Sequence, residues 1–339
     1  MSSYHSWVNL QPYNTFGVLA RARYFACISS IDALLHLLAD NFLQPLPKII
    51  LGGGSNWLFR HDIDGLVLFN NLRGIEVVLE DEYAVWLRVM SGENWHGVVL
   101  YAVERGWGGI ENLSLIPGTI GAAPVQNIGA YSVELQEVFV QLEAICLYSG
   151  ERRVFEHADC SFGYRDSVFK GQYKGQYFIV SVTLRLLKKP VLRLGYGDIM
   201  QTLQQMGIEN PSIGDVSKAV CSIRERKLPD PKLKGNAGSF FKNPVVSSDY
   251  YDELCQKYPE MPAYSVENGR KKIPAAWLIE YCGWRGKREG DAGVHEKHAL
   301  VLVNHGQASG EDIYRLSLQI QTNIFDTFGI ELEAEVNIW

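Results

Sequence analysis

The 339-residue sequence lacks the features that define several special classes of protein. Its longest apolar runs, such as Ala299–Val303, fall far short of the roughly 20 residues that span a bilayer, so we expect no membrane association. Residues 1–24 lack the basic stretch and apolar run of a signal peptide, so we expect a cytoplasmic protein. The six cysteines form no CxxC pair and the eight histidines no HxxxH pair, so we predict reduced thiols and no metal site.

Positive charge is scarce in the chain as a whole and concentrated in one segment. The 32 Lys and Arg residues are outnumbered by 38 Asp and Glu residues, which excludes the dominant basic face of a nucleic-acid-binding protein. Residues 218–242 nevertheless hold seven basic and two acidic residues. This local excess favours a site for an anionic small ligand, such as a phosphate or a nucleotide sugar, although solvated helix ends are the alternative.

Hydrophobic spacing indicates a mixed α and β protein, and the length indicates more than one domain. Helices are predicted at residues 31–38, 93–105, 213–227, 249–258, 275–281 and 309–328. Strands are predicted at residues 48–51, 65–70, 83–90, 138–147, 153–156, 178–187, 299–304 and 330–338. Residues 190–212 are predicted to be irregular, and Ser309, Asp312 and Gly329 are predicted to cap the last helix.

Glycine is unevenly placed, with 13 of the 32 glycines inside residues 52–129. The run Gly52-Gly53-Gly54-Ser55-Asn56 follows a predicted strand and would let the backbone approach a pyrophosphate, although a plain turn is the alternative. It is not a Rossmann GxGxxG turn, because residues 57–59 lead into another strand. A second stretch of small residues, 112–131, would pack against another segment or a flat cofactor. The two stretches together favour a dinucleotide with a bulky ring.

Ser239 lies in a third glycine-containing loop, residues 235–239. No GxSxG motif surrounds it and no histidine is evidently paired with it, so a hydrolase nucleophile is not expected. Its hydroxyl could donate a proton to a developing carbanion, or it could simply stabilise a turn.

Eight segments carry a resemblance to a known family. In chain order they are LGGGSNWLF (51–59), NLSLIPGTIGAAPVQNIGAYSVEL (112–135), CSFGYRDSVFK (160–170), LGYGD (194–198), KLPDPKLKGNAGSFFKNP (227–244), AAWLIEYCG (275–283), HALVLVN (298–304) and LEAEV (332–336). Over nearly its whole length the chain closely resembles UDP-N-acetylenolpyruvoylglucosamine reductase, the flavoprotein of bacterial peptidoglycan precursor synthesis. The segment around Tyr196 resembles the subclass that closes a tyrosine-bearing loop over the substrate.

The resemblance implies an α+β fold. A two-part FAD-binding domain of the vanillyl-alcohol oxidase and p-cresol methylhydroxylase type would occupy residues 16–189, with subdomains at about 16–70 and 71–189. The tyrosine loop and connection would follow at 190–212, the substrate-binding domain at 213–329, and a C-terminal strand carrying Glu335 at 330–339. We expect a monomer.

The resemblance also implies the reaction. FAD would be bound non-covalently, and NADPH would reduce it as co-substrate. UDP-N-acetylglucosamine enolpyruvate would then receive a hydride from flavin N5 at C3 and a proton at C2, which gives UDP-N-acetylmuramate. Ser239 would be the proton donor, with Arg165 and Glu335 as the other catalytic residues. Glu335 would act in protonated form or by orienting its neighbours, because a carboxylate beside an enolate would repel it.

The remaining site residues follow from the same motifs. The implied cofactor contacts are Gly52, Gly53, Gly54, Ser55, Asn56, Pro117, Gly118, Thr119, Gly121, Ala122, Gln126, Asn127, Gly129 and Ala130. The implied substrate contacts are Tyr131, Tyr196, Lys227, Asn243, Tyr264, Lys272 and Arg285. Two positions depart from the family pattern: Arg285 stands where close relatives have lysine, and Asn337 stands where arginine is common.

Two other functions fit parts of the sequence. A flavin-dependent alcohol oxidase would share the glycine-rich loops, but such enzymes lack the GNAGSFFKNP segment. A nucleotide-sugar-binding protein without catalysis would share the basic segment, but the joint presence of Arg165, Ser239 and Glu335 argues against it.

Overall fold

The computed structural model describes residues 4–339, apart from the side chain of residue 267. Within these residues the helices are α1 (Ile31–Leu38), α2 (Trp95–Glu104), α3 (Ile199–Gln205), α4 (Ile213–Lys227), α5 (Ser248–Lys257), α6 (Ala275–Tyr281) and α7 (Gly310–Phe328). The strands are β1 (His5–Asn9), β2 (Arg21–Ile28), β3 (Lys48–Leu51), β4 (Trp57–Leu58), β5 (Ile63–Asn70), β6 (Ile75–Glu80), β7 (Ala84–Met90), β8 (Gly129–Ala130), β9 (Val133–Glu134), β10 (Phe139–Cys146), β11 (Arg152–Glu156), β12 (Tyr177–Leu187), β13 (Gly235–Ser239), β14 (Val245–Val246), β15 (Tyr264–Ser265), β16 (Lys271–Lys272), β17 (Arg288–Glu289), β18 (Ala292–Val294), β19 (Val301–Asn304) and β20 (Asn337–Ile338).

The chain divides into two compact units, and the first contains two main sheets. Its described residues are 4–8, 22–53 and 63–226. One sheet has the order β1-β2-β5-β3, with β2 and β3 both parallel to β5, and α1 connects β2 to β3. Helix α1 buries Leu34, Leu37 and Leu38, so its apolar face supplies part of the core under this sheet.

The second sheet of this unit is antiparallel, with the order β11-β10-β12-β7-β6. Strand β12 lies at its centre and is buried at most positions, which fits its nearly continuous apolar sequence. Helix α2 buries Trp95, Val98, Val99 and Ala102 in the same core cluster as residues of β7, β10 and β12. The start of α2 therefore lies beside the second glycine-containing stretch, residues 112–131.

The second unit comprises residues 9–21, 54–62 and 227–339. It contains an antiparallel sheet of order β13-β19-β18-β17, a smaller sheet of order β14-β16-β15, and the parallel pair β20-β4. Helix α7 begins at a capping box in which Ser309 and Asp312 bond reciprocally, and it ends at Gly329, which has a φ of +66°. These are the caps that the sequence predicts.

Most predicted elements are present within a few residues of their predicted bounds, but two predictions are wrong. Residues 190–212 are not wholly irregular, because α3 occupies Ile199–Gln205 and buries Ile199 and Leu203 against α4. The predicted strand at 330–338 reduces to β20 and an isolated bridge between Ala334 and Phe241. Alternating apolar residues there reflect burial of Leu332 and Val336 in a largely irregular segment.

Strands β1, β2 and β6 are not among the strands predicted above. Polar residues interrupt the apolar pattern of β1 and β2, whereas the largely apolar β6 is exposed at five of its six positions. The unit boundary falls between Arg226 and Lys227, so nearly all of α4 belongs to the first unit. In the described part of the chain, no helix combines the length and the apolar character needed to cross a membrane.

Candidate active site

The two glycine-containing stretches meet in the first unit. A Cβ at Gly52 would lie 2.5 Å from Oγ1 of Thr119, and a Cβ at Gly53 would lie 3.0 Å from Cα of Gly118. The two backbones therefore approach too closely for side chains to separate them. Gly53 is nevertheless exposed, so backbone without a side chain lies at the surface of the paired loops.

The start of α2 fixes the second stretch through several hydrogen bonds. The backbone N–H groups of Trp95, Ile120 and Gly121 donate to Gly118, Glu93 and Ser91, at 3.1, 2.9 and 2.8 Å. The Trp95 indole donates to the Leu113 carbonyl at 2.9 Å, and the Leu115 N–H donates to Nδ1 of His96 at 2.9 Å. Residues 91–96 thus hold residues 113–121 in one conformation.

Gly121 lies directly over a buried polar pair. The Asn70 amide donates to Oγ of Ser91 at 2.7 Å, and both residues are buried. A Cβ at Gly121 would lie 2.7 Å from Cβ of Ser91. Glycine is therefore required here by packing, and the nearby residues Pro117 and Ala122 remain exposed at the surface of the loop.

Asn127, a predicted cofactor contact, directs its side chain into the protein. It is fully buried with a φ of +43°, and its amide donates to Oε2 of Glu134 at 2.9 Å and to the Gly163 carbonyl at 3.1 Å. Its Oδ1 accepts from the N–H of Gln136 at 3.0 Å. These bonds shape the turn that leads to Gly129, while Gln126 and Ala130 are only half-buried.

Arg165 contacts the second glycine-containing stretch near its end, at Gly129. Its guanidinium donates to the carbonyl of Gly129, and a Cβ at Gly129 would lie 2.9 Å from Nη1 of Arg165. The backbone of Arg165 has a φ of +54°, an uncommon conformation for a residue with a side chain. The predicted catalytic residue Arg165 therefore contacts the predicted cofactor residue Gly129 within the first unit.

Two predicted substrate tyrosines are also neighbours there. Tyr131 has a φ of +50°, and a Cβ at Gly197 would lie 3.5 Å from its ring. The amide of Asn112 donates to the Tyr131 carbonyl at 3.1 Å and to the Arg193 carbonyl at 2.8 Å, which joins the two segments. Burial raises the pKa of Tyr131, whereas Tyr196 is 48% exposed.

Arg224 on α4 was not among the residues predicted for the site. Burial lowers its pKa, as does the positive charge of Arg165, while the nearby Tyr131 acts in the opposite direction. Within residues 4–339, no hydrogen-bond partner of its Nε is found. Its position four residues after the buried Val220 was the available sequence signal, because that spacing places both on one helix face.

Ser239 and Glu335 lie in adjacent segments of the second unit. Ser239 ends β13, follows Gly238 with its φ of +69°, and precedes the fully buried Phe240 and Phe241. The N–H of Glu335 donates to the Phe240 carbonyl at 2.8 Å. Next to it, the Lys242 N–H donates to Glu333 at 2.9 Å, so two backbone bonds join these segments.

Asn337, which stands where the resemblance leads us to expect an arginine, has a structural role. Its backbone N–H and its side-chain amide both donate to the carbonyl of Asn56, each at 3.0 Å. The amide of Asn56 donates in turn to the Glu335 carbonyl at 3.1 Å. The predicted cofactor contact Asn56, next to the half-buried Ser55, is thus tied to the segment that carries Glu335. Gly54 of the same loop accepts from the Thr15 N–H at 3.1 Å.

Three predicted substrate contacts lie in or beside the small sheet of this unit. Tyr264 of β15 pairs directly with Lys272 of β16, and Val245 of β14 pairs with the other side of Lys272. Asn243 lies two residues before β14, and its Oδ1 accepts from the N–H of Ala275 at 2.9 Å. Lys227 ends α4, and the exposed Arg285 forms an ion pair with Glu280 at 3.4 Å. Among the described residues, no cluster of His, Cys, Asp and Glu could hold a metal ion.

Comparison with known proteins identifies both parts of the chain. A family model described as an FAD binding domain matches residues 22–155. The C-terminal domain of UDP-N-acetylenolpyruvoylglucosamine reductase matches residues 230–339. These two matches confirm the predicted α+β class, with an FAD-binding domain preceding the C-terminal domain.

Full-length relatives are similar throughout. The UDP-N-acetylenolpyruvoylglucosamine reductase of Flavobacterium johnsoniae is 47% identical over 331 residues, which cover 97% of this chain and 98% of the relative. The protein of the same name from Amoebophilus asiaticus is 49% identical and covers 98% of each chain. The solved structure of UDP-N-acetylenolpyruvylglucosamine reductase from Thermus caldophilus aligns over 99% of both chains, with 24% identity and a TM-score of 0.68, and supports the fold.

Proposed function

The chain belongs to the UDP-N-acetylenolpyruvoylglucosamine reductase family, and from this premise we propose that it reduces UDP-N-acetylglucosamine enolpyruvate to UDP-N-acetylmuramate with NADPH and bound FAD. The observation that carries the proposal is the close approach of Gly53 to Gly118 in the FAD-binding domain. We also propose a cytoplasmic, monomeric enzyme, and the six unpaired cysteines agree with a reducing compartment.

The described residues of the first unit fit FAD. Gly52, Gly53 and Gly118 leave a surface without side chains, which suits the pyrophosphate of a dinucleotide. The small residues Ala122, Gly129 and Ala130, which are exposed or half-buried, give a flat ring room to lie on the backbone. When bound, the flavin would accept electrons from NADPH and deliver a hydride to C3 of the enolpyruvyl group.

We assign the proton at C2 to the hydroxyl of Ser239. A positive φ at Gly238 and the burial of Phe240 and Phe241 fix the backbone on both sides of this half-buried serine. A hydroxyl on so constrained a backbone is suited to proton donation, because its orientation changes little during the reaction.

Arg165 would bind the substrate carboxylate. Its guanidinium already donates to the Gly129 carbonyl, and that bond holds the side chain beside the cofactor loop. A planar guanidinium can bind both carboxylate oxygens and stabilise the enolate that forms when hydride reaches C3. Glu335, anchored by its backbone bond to Phe240, would orient Ser239 or donate a hydrogen bond in protonated form.

The remaining polar residues would bind the diphosphate and uridine. Tyr196 would come from the tyrosine loop, and Lys227 and Lys272 would supply positive charge toward the diphosphate. The pairing of Lys272 with Tyr264 supports a shared role for these two side chains. Tyr131, Asn243 and Arg285 complete the proposed set.

A spectroscopic experiment tests the proposal. The purified protein should be yellow, and NADPH should bleach its flavin absorbance without oxygen. Addition of UDP-N-acetylglucosamine enolpyruvate should then restore the absorbance. Rapid reoxidation by oxygen with no requirement for NADPH would instead indicate an alcohol oxidase, and a folded protein that binds no flavin would contradict the assignment.

A further inference from the structure

His96 is a titratable side chain that accepts a hydrogen bond between residues 91–96 and residues 113–121. The Leu115 N–H donates to Nδ1 of His96 at 2.9 Å. The other bonds described above between these two segments end on backbone carbonyls, whose acceptor capacity does not change near neutral pH. One of the bonds by which residues 91–96 hold this loop therefore depends on the protonation state of an imidazole, and the others do not.

The geometry determines the tautomer of His96. Because Nδ1 accepts a hydrogen bond, the proton of the neutral ring is on Nε2, which lies 4.0 Å from Sγ of Cys221 on α4. Leu115 itself has a φ of +59°, a conformation that strains a residue with a Cβ. A protonated imidazole has no acceptor to offer the Leu115 N–H, so protonation removes a bond that offsets this strain.

The charged and titratable groups that face His96 come from α4. Burial lowers the pKa of His96, and the positive charge of Arg224 lowers it further, whereas Glu225 acts in the opposite direction. Cys221 contacts the Nε2 side. These surroundings favour the neutral ring at neutral pH, so the Leu115 bond is intact under those conditions.

We propose that His96 is a positioning residue for FAD: its neutral imidazole holds Leu115 in the left-handed conformation and so keeps Pro117 and Gly118 in place beside Gly53. The proposal rests on the proposed function, because that function supplies FAD as the occupant of the loop. As pH falls, protonation of His96 releases the Leu115 N–H, and the loop binds FAD less tightly. The sign follows from the lowered pKa: the stabilising contribution of the neutral ring is complete above the usual histidine pKa of about 6.5 and is lost as the pH falls through the lowered pKa of the folded protein.

The test is the dissociation constant of FAD between pH 5 and pH 8 (roughly spanning the histidine titration), measured with the full-length protein by the fluorescence of released FAD. At the acidic end of this range the wild type should bind FAD roughly three- to tenfold more weakly than His96→Gln does. This factor is the value of one hydrogen bond. Glutamine offers an acceptor that does not titrate, so His96→Gln should retain tight binding with a flatter pH profile. His96→Phe fills a similar volume without an acceptor, and should bind FAD more weakly at every pH.

His36→Gln is the matched control, because His36 is an exposed histidine on α1 of the same unit. It should reproduce the wild-type profile, and thermal unfolding without FAD should confirm that every variant is folded. A His96→Gln profile identical to that of the wild type would overturn the inference while leaving the proposed function intact. If the folded wild-type protein bound no FAD at any pH, the proposed function would fail, and the inference with it.

Discussion

The backbone N–H of Glu335 donates to the carbonyl of Phe240, with an N···O distance of 2.8 Å. Phe240 follows Ser239 and is buried to 1% exposure, so this bond joins the segment of one predicted catalytic residue to the segment of another. Residues almost a hundred positions apart in the sequence are thereby held in fixed register within the second unit.

Ser239→Ala should separate the two half-reactions. NADPH-driven bleaching of the flavin should remain nearly unchanged, because no proton at C2 is needed in that step. Reoxidation by the enolpyruvyl substrate should slow by roughly a hundredfold to ten-thousandfold, the usual contribution of a positioned proton donor. Stopped-flow absorbance measures both steps.

The matched control for this variant is Ser265→Ala, which removes an exposed hydroxyl from the same unit. Both half-reactions should keep their wild-type rates in the control. Equal slowing of bleaching and reoxidation by Ser239→Ala would count against a role in proton donation.

Arg165→Lys should weaken the reaction with substrate although the charge is kept. Lysine cannot bind two carboxylate oxygens in parallel, nor can it reproduce the planar contact with Gly129. We expect a loss of roughly ten- to a hundredfold in kcat/KM for the UDP substrate, the value of a charge-assisted hydrogen bond. Arg23→Lys, an exposed arginine paired with Asp64 in the same unit, should have no effect. Equal kinetics for both variants would contradict the assigned role.

Gly53→Ala should weaken FAD binding. The added Cβ would lie 3.0 Å from the backbone of Gly118, and it would push the two loops apart. Overpacking of this kind costs about 1 to 3 kcal/mol, and that cost should appear in the FAD dissociation constant measured by titration. Gly171→Ala is the control, because a Cβ there meets nothing within 4 Å. Unchanged FAD affinity in Gly53→Ala would show that the paired loops do not hold the cofactor.

Cys160 should be unreactive in the native protein. Burial raises its pKa to about 12, and the negative charge of Asp159 adds to the effect, so the thiol stays protonated at pH 8. A disulfide reagent at pH 8 should modify the exposed Cys27 first and reach Cys160 after unfolding in denaturant. Peptide mass spectrometry gives the order of labelling. Labelling of Cys160 at the rate of Cys27 in the native protein would contradict its burial.

Local signals explain which parts of the fold could be predicted. Helix α7 was recognisable because Ser309, Asp312 and Gly329 act on their own chain neighbours. The paired loops were recognisable because glycine itself marks close backbone approach, as at Gly53 and Gly118.

Other features depend on contacts that no local pattern records. The bond from Leu115 to His96 spans 19 positions and requires a left-handed residue that is not glycine. The burial of Arg224 depends on how α4 packs beside Tyr131. The two bonds from Asn337 to Asn56 join segments 281 positions apart, so no local pattern at residue 337 indicates them.

The most direct measurement of the central claim is proton NMR of the product formed from UDP-N-acetylglucosamine enolpyruvate and NADPH in deuterated water. Transfer of a proton from an exchangeable hydroxyl predicts UDP-N-acetylmuramate with deuterium at C2, and deuterium also reaches C3 to the extent that the N5–H of the reduced flavin exchanges with solvent before hydride transfer. Oxidation of NADPH with the enolpyruvyl ether left unreduced would contradict the account, as would a product with deuterium at C3 but not at C2.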